Sequence, residues 1–194
     1  MFDTTYTTHP RFGLAIAFVA MLSFAALFPK PLRAEGPDSA NLTERFTHLS
    51  QHGNVECSVQ FEKSIATMPS VAKLEGSCCA PMDEARYRQQ LDGLKKYSDI
   101  AEVPPDPYDI PALFAERLIG YYDMALNKEE QAAYDYAMGH SDMEGPCCCK
   151  CWRWKVYGGL GKYLIHAQHY TGQQLTDLWN VGQGCGGPVD TKMH

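Results

Sequence analysis

The sequence predicts an all-α protein: a compact domain of about six or seven helices that follows an N-terminal export segment. Three observations predict this fold class. Apolar residues recur at three- and four-residue steps in several stretches, and residue pairs typical of helix N-termini precede several of them. No alternating, strand-like pattern runs longer than four residues.

Residues 1–34 form the predicted export segment. A single cation, Arg11, precedes a run from Phe12 to Phe28 that contains no charged residue, and Pro29 closes the run. Its 17 residues are slightly long for the core of a signal peptide and slightly short for a membrane span. We therefore expect either a signal peptide that is cut after Ala34 or a retained N-terminal membrane anchor. Both alternatives predict an exported protein, periplasmic or extracellular.

Residues 35–194 are predicted to form a single cysteine-rich helical domain. Its 160 residues are enough for one domain with a real hydrophobic core. Without the leader the chain holds 14 cations and 22 anions, a formal net charge of −8. Such a surface is unsuited to nucleic acid. Contact with a membrane is expected only through an uncleaved N-terminal segment.

The first half of this domain is predicted to contain three helices. Asn41 has the residue type of an N-cap and opens an amphipathic stretch that ends at His52. A second helix is expected from about Val55 to about Met68. Cys78 and Cys79 then lie in a loop, and Pro81 is predicted to begin a charged helix that extends to about Tyr97.

The second half begins with an irregular connector. Residues 102–111 contain four prolines and cannot form a regular element, yet the segment is short and partly apolar, which favours an ordered connector over a domain linker. Capping residues are predicted for three further helices, at Asp109, at Asn127 with Glu130, and at Thr171 with Gln174.

The longest predicted helix runs from about Pro146 to about His169. It is predicted by Gly145-Pro146 and by the spacing of Trp152, Val156, Leu160, Tyr163, Leu164 and Ala167. Its first turn and a half would carry Cys147, Cys148, Cys149 and Cys151. At roughly 100° per residue, three of these thiols share one face and Cys149 points away. Gly158, Gly159 and Gly161 predict a close approach of another chain segment to this helix.

Eight cysteines follow the leader, at positions 57, 78, 79, 147, 148, 149, 151 and 185. An even number in an exported chain first suggests disulfides. However, five of the eight lie in an adjacent pair or triplet, where each thiol would need a partner facing it in turn. A helix N-terminus favours thiolate, and crowded thiolates select soft ions such as copper(I) or zinc.

The predicted metal ligands are therefore centred on the cluster at 147–151. They are Cys147, Cys148, Cys149 and Cys151, with Cys185 as the leading additional partner, Cys78 and Cys79 next, and His140 from the preceding loop. Cys149 is expected to find its own partner in Cys57, Cys79 or Cys185. A glycine-rich loop surrounds Cys185 and can bring this thiol close to a site that a helix alone does not complete.

Two other interpretations remain open. Cys148 and Cys151 form a C-x-x-C pair with Lys150 between them, as in thiol-disulfide oxidoreductases, but no strand precedes Gly145 as it does in those enzymes. Alternatively, the cysteines stabilise a helical protein as disulfides and do no chemistry. The sequence favours binding over catalysis. The predicted partners are copper(I) or zinc and a protein that donates or accepts the metal, in delivery or sequestration.

Overall fold

Helices dominate the part of the chain that the structure describes. The computed structural model describes residues 39–187, so the predicted leader at 1–34 lies outside the described residues. This part contains seven α-helices and two short strands: α1 Ser39–Gln51, α2 Val59–Ile65, β1 Lys73–Glu75, α3 Glu84–Leu94, β2 Asp109–Pro111, α4 Ala112–Gly120, α5 Lys128–His140, α6 Trp152–Gln168 and α7 Gly172–Gly182. The predicted fold class is confirmed.

The central element is α6, which packs against α4, α5 and α7. Trp152, Val156, Leu160 and Leu164 follow one another at four-residue steps, and all four are fully buried. Because residues four apart share one face of a helix, this row forms the apolar stripe around which the core assembles. No helix among residues 39–187 has both the length and the apolar character needed to cross a membrane.

Glycines in α6 allow neighbouring elements to approach its backbone. A Cβ atom on Gly159 would overlap the carbonyl oxygen of Leu118 in α4. A Cβ on Gly161 would lie 2.9 Å from the Trp179 ring of α7. The close approach that the sequence predicts at these glycines is confirmed, and the partners are two helices.

The connector at 102–111 is ordered and partly buried. Val103, Tyr108 and Ile110 are buried in the core. The carboxylate of Asp106 fixes the chain by accepting hydrogen bonds from the Tyr87 hydroxyl, at 2.7 Å, and from the Tyr108 amide, at 2.8 Å. The last residues of the connector form β2, which pairs antiparallel with β1.

Helix termini were predicted with mixed success. Asn127 with Glu130 and Thr171 with Gln174 form complete capping boxes, as predicted.

The predicted cap at Asp109 is wrong, because this carboxylate lies in β2 and binds Arg45 and Lys73, each at 2.9 Å. Three other predicted starts also differ. Helix α1 begins at Ser39, ahead of Asn41, α2 begins at Val59, after Val55, and α3 begins at Glu84, after Pro81. Asp83 caps α3 by accepting a hydrogen bond from the amide of Arg86.

The predicted helix start at Pro146 is wrong. Helix α6 begins at Trp152, and residues 141–151 form turns and bends. Just ahead of Pro146, Glu144 has φ 50° and Gly145 has φ 138°. The segment that follows does not continue as a helix, and it brings the Cys149 sulfur to the distant thiols of Cys57 and Cys79. The cysteines at 147, 148 and 149 therefore lie in a loop, and Cys151 occupies the N-cap position with extended backbone.

We predict that Gly159→Ala lowers the free energy of unfolding by at least about 2 kcal/mol, because the new methyl group would collide with the Leu118 carbonyl. The matched control is Gly139→Ala in α5, where nothing lies within 4 Å of an added Cβ. This control should leave stability unchanged or raise it by up to about 1 kcal/mol. Urea unfolding of the reduced, metal-free protein measures both. A Gly159→Ala variant as stable as the parent would contradict the close packing of α4 and α6.

Candidate metal centre

Four loop segments bring all eight cysteines together. Cys57 precedes α2, Cys78 and Cys79 follow β1, four cysteines precede or cap α6, and Cys185 follows α7. All eight are free thiols. Contacts between sulfurs and sets of neighbouring sulfurs link all eight thiols without a break, so they form a single connected cluster, which we call the thiol cluster.

Cys79 lies at the centre of the outer part of this cluster. Its sulfur is 3.2 Å from that of Cys149, 3.5 Å from that of Cys57 and 3.6 Å from that of Cys78. The sulfurs of Cys57 and Cys149 are 3.5 Å apart, and those of Cys78 and Cys151 are 3.9 Å apart. Four thiolates bound tetrahedrally at a metal–sulfur distance of about 2.3 Å have sulfurs about 3.8 Å apart. These sulfur–sulfur distances are therefore equal to, or somewhat shorter than, the edge length of a metal–thiolate tetrahedron.

Three sets of thiols are close enough to hold a metal ion, and in each set all sulfurs lie within 4.8 Å of one another. We call them the first, second and third sulfur groups. They consist respectively of Cys57, Cys78, Cys79 and Cys149; of Cys79, Cys148 and Cys185; and of Cys147, Cys148 and Cys149. The cluster therefore has the donor type and the spacing of a site for soft metal ions.

The four cysteines at 147–151 are arranged differently from the prediction. The sequence predicts that Cys149 points away from the other three, on the assumption that the segment is helical. This prediction is wrong, because the sulfurs of Cys147, Cys148 and Cys149 lie within 4.8 Å of one another. The loop also brings the Cys149 sulfur to Cys79 and Cys57. Both belong to the set in which a partner for Cys149 was expected.

The C-terminal loop carries Cys185 into the cluster. The Ala80 amide donates a hydrogen bond to the Cys185 carbonyl at 3.0 Å, and the Gly187 amide donates to the Pro81 carbonyl at 2.8 Å. Gly186 has φ 78°, and a Cβ there would overlap the Ala80 carbonyl. Glycine therefore lets this loop lie directly against the segment that holds Cys78 and Cys79.

The thiols differ in their access to solvent. Cys147, Cys151 and Cys185 are buried, with exposed fractions of 1%, 6% and 2%. Cys57, Cys79 and Cys148 are exposed. The cluster therefore has a closed base within the core and an open rim at the surface.

His140 is not part of the cluster. Its ring stacks on that of Tyr136, with centroids 3.9 Å apart, and its Nδ1 lies 2.7 Å from the Tyr136 carbonyl oxygen. None of the three sulfur groups includes His140. Among the described residues, the donors that the structure brings together are sulfur atoms only.

A buried arginine lies beside the cluster. Arg153 is fully buried and donates hydrogen bonds to the carbonyls of Gly76 and Pro107. Its carbon Cζ lies 4.4 Å from the centroid of the Trp152 ring. Within residues 39–187 no carboxylate forms an ion pair with this guanidinium. A buried cation needs a counter-charge, and the acidic groups near it are three thiols and the Tyr157 hydroxyl.

The electrostatics of Arg153 indicate the same partner. Burial lowers the pKa of its guanidinium, but Coulombic attraction to Cys78, Tyr157, Cys185 and Cys147 outweighs burial and raises the pKa overall. Among these thiols the pKa of Cys185 is lowered, so the Cys185 thiolate and the positive charge of Arg153 stabilise each other.

The thiols cannot all ionise together without a bound cation. Burial raises the pKa of Cys57 to about 11. Hydrogen bonding to Cys151 raises the pKa of Cys147 and of Cys78. Hydrogen bonding with Cys147 lowers the pKa of Cys151 and that of Cys185, and these two sulfurs compete for the single proton of that thiol. A few cysteines are thus thiolates that are hydrogen-bonded to protonated neighbours, and soft cations can replace the protons of those neighbours.

The pair Cys148 and Cys151 does not stand apart as a redox pair. Cys148 interacts with Cys79, Cys185 and Cys147, whereas Cys151 interacts with Cys147, Cys78 and Cys149. Each thiol is one member of a larger network. This arrangement differs from the isolated dithiol of an oxidoreductase.

Two residues of the site were underestimated from the sequence. From the sequence, Cys57 is predicted only as a possible partner of Cys149, and no role is predicted for Arg153. For Arg153 a signal exists, because a cation between two tryptophans at the start of an apolar helix is unusual. For Cys57 the only signal is its membership of a cysteine-rich chain.

Comparison of the chain with protein-family models, with curated proteins and with solved structures finds no match.

We predict that Arg153→Met weakens copper(I) or zinc binding by about 10- to 100-fold. Metal binding replaces thiol protons and makes the site more negative, so loss of the buried positive charge disfavours the bound state. The matched control is Lys150→Met, which removes the same charge from an exposed side chain that lies over the Trp154 ring. Solvent screening should limit its effect to about threefold. Competition with a chromophoric chelator measures both affinities. Equal affinities for the two variants would contradict the pairing of Arg153 with thiolates.

Proposed function

We propose that this protein is an exported binder of soft metal ions, copper(I) or zinc, which holds them by thiolates and serves in their delivery or sequestration. The observation that carries the proposal is the convergence of eight free thiols from four loop segments into one cluster. Thiolate sulfur selects copper(I) and zinc over hard cations such as magnesium or calcium. The four-sulfur group suits tetrahedral zinc, and the two three-sulfur groups suit copper(I).

The crowding of the thiols supports metal binding over disulfide bonding. A disulfide joins two sulfurs and leaves no role for a third, yet Cys79 has three sulfur neighbours within 3.6 Å. A metal ion uses three or four sulfurs at once. The buried charge of Arg153 also supports this function, because a neutral set of disulfides would leave that charge without a partner.

The open rim supports delivery to a second protein. Cys57, Cys79 and Cys148 are exposed, so an incoming thiol can reach an ion bound by them and replace one ligand at a time. The buried base keeps the remaining sulfurs in place during such an exchange. The charge-free run at 12–28 supports export, and the partner would then be a metal donor or acceptor in the same exported compartment.

We predict that the full chain, purified from its own exported compartment without chelator, contains copper or zinc and unoxidised cysteines. Elemental mass spectrometry with thiol labelling measures both. Combined replacement of Cys147, Cys148 and Cys151 by serine should lower the metal content, because the second and third sulfur groups each lose at least one ligand, whereas the first group keeps all of its cysteines. His140→Ala is the control and should retain the metal, since its ring stacks on Tyr136 outside the cluster.

The same measurements can also contradict the proposed function. Protein from that compartment that contains neither metal nor free thiols, and that does not bind copper(I) or zinc after reduction, would contradict the proposed function. It would leave the disulfide-stabilised helical protein as the explanation. Dithiol chemistry confined to Cys148 and Cys151 would instead favour the oxidoreductase.

A further inference from the structure

The three sulfur groups overlap in a regular way. The first and second groups share Cys79, the second and third share Cys148, and the first and third share Cys149. Each pair of groups thus has one cysteine in common, and no cysteine belongs to all three. Separate mononuclear sites would not share ligands, and a single ion would have one set of nearest sulfurs.

We propose that the thiol cluster binds three metal ions as one trinuclear centre, in which Cys79, Cys148 and Cys149 each bridge two ions. The proposal rests on the proposed function and specifies its stoichiometry. A thiolate sulfur has several lone pairs and can bond to two soft cations at once. Three ions and three bridging sulfurs then form a closed ring of alternating metal and sulfur atoms.

The remaining members of the groups complete the coordination of each ion. Cys57 and Cys78 bind the ion of the first group as terminal ligands, Cys185 binds that of the second, and Cys147 binds that of the third. A single ion accepts about four thiolates, so it would leave about half of the cysteines without a role. Cys151 lies 3.9 Å from Cys78 but belongs to none of the three groups. The ring does not require it.

Charge favours divalent ions in this centre. The three groups contain seven different cysteines, so three divalent ions and seven thiolates carry a formal net charge of −1. The buried guanidinium of Arg153 balances that charge. Three monovalent ions would leave a formal charge of −4 on the same seven thiolates. Zinc and its spectroscopic substitute cadmium are therefore the appropriate ions, and they bind with release of the thiol protons.

Two exposed cysteines of the first group provide a matched comparison. Cys57 is a terminal ligand in one group, whereas Cys79 is shared between two groups, and both lie in loops at the open rim. Cys57→Ser should cost the protein at most one ion. Cys79→Ser should cost it two. Because both side chains are exposed, neither change should disturb the core, and far-UV circular dichroism checks that both variants fold.

The experiment uses the reduced full chain loaded with zinc for native mass spectrometry and with ¹¹³Cd for NMR. We expect three ions in the parent chain and three ¹¹³Cd resonances split by coupling between the ions, which a bridging thiolate transmits. Binding of only one or two ions would overturn the trinuclear centre but leave the proposed function intact. Three uncoupled ions, with equal losses in the two variants, would overturn the bridging role. Failure to bind any metal would overturn both proposals.

Discussion

The thiol cluster depends on one buried cation. Arg153 lies at the start of α6, donates a hydrogen bond to the Gly76 carbonyl just before the pair at 78 and 79, and donates another to the Pro107 carbonyl in the connector. The backbone of Gly184, next to Cys185, packs against the same guanidinium with no room for a side chain. The Arg153 side chain therefore joins its own cysteine-bearing segment to the segments that carry Cys78 with Cys79 and Cys185.

This arrangement makes the cluster and the fold depend on each other. Burying a guanidinium costs several kcal/mol unless hydrogen bonds and an opposite charge offset the loss of water. Carbonyl groups supply the hydrogen bonds, and thiolates supply the charge. Thiolates in turn repel one another unless cations lie between them. Metal binding would thus add directly to the stability of the loops, as it does in small metal-binding domains whose sites form only on folding.

The sequence predicts the helical framework well because its signals are local. Capping boxes at Asn127 and Thr171 involve residues three apart, and the apolar stripe of α6 repeats every four residues. The geometry of the cluster is not local. Gly145-Pro146 has the preferences of a helix start, but convergence with cysteines that are up to about 90 positions away requires a loop there. Cys57 and Arg153 acquire their roles only from those distant contacts, which no periodicity reveals.

The central claim is that sulfur atoms alone hold the metal ions. X-ray absorption at the metal edge of the loaded, reduced protein tests it most directly, since the spectrum identifies the atoms bonded to the metal and their distances. The account predicts sulfur at about 2.3 Å as the only ligand type for zinc. It also predicts a metal–metal contribution from neighbouring ions. A spectrum dominated by nitrogen or oxygen ligands would contradict the assignment of the thiol cluster as the metal centre.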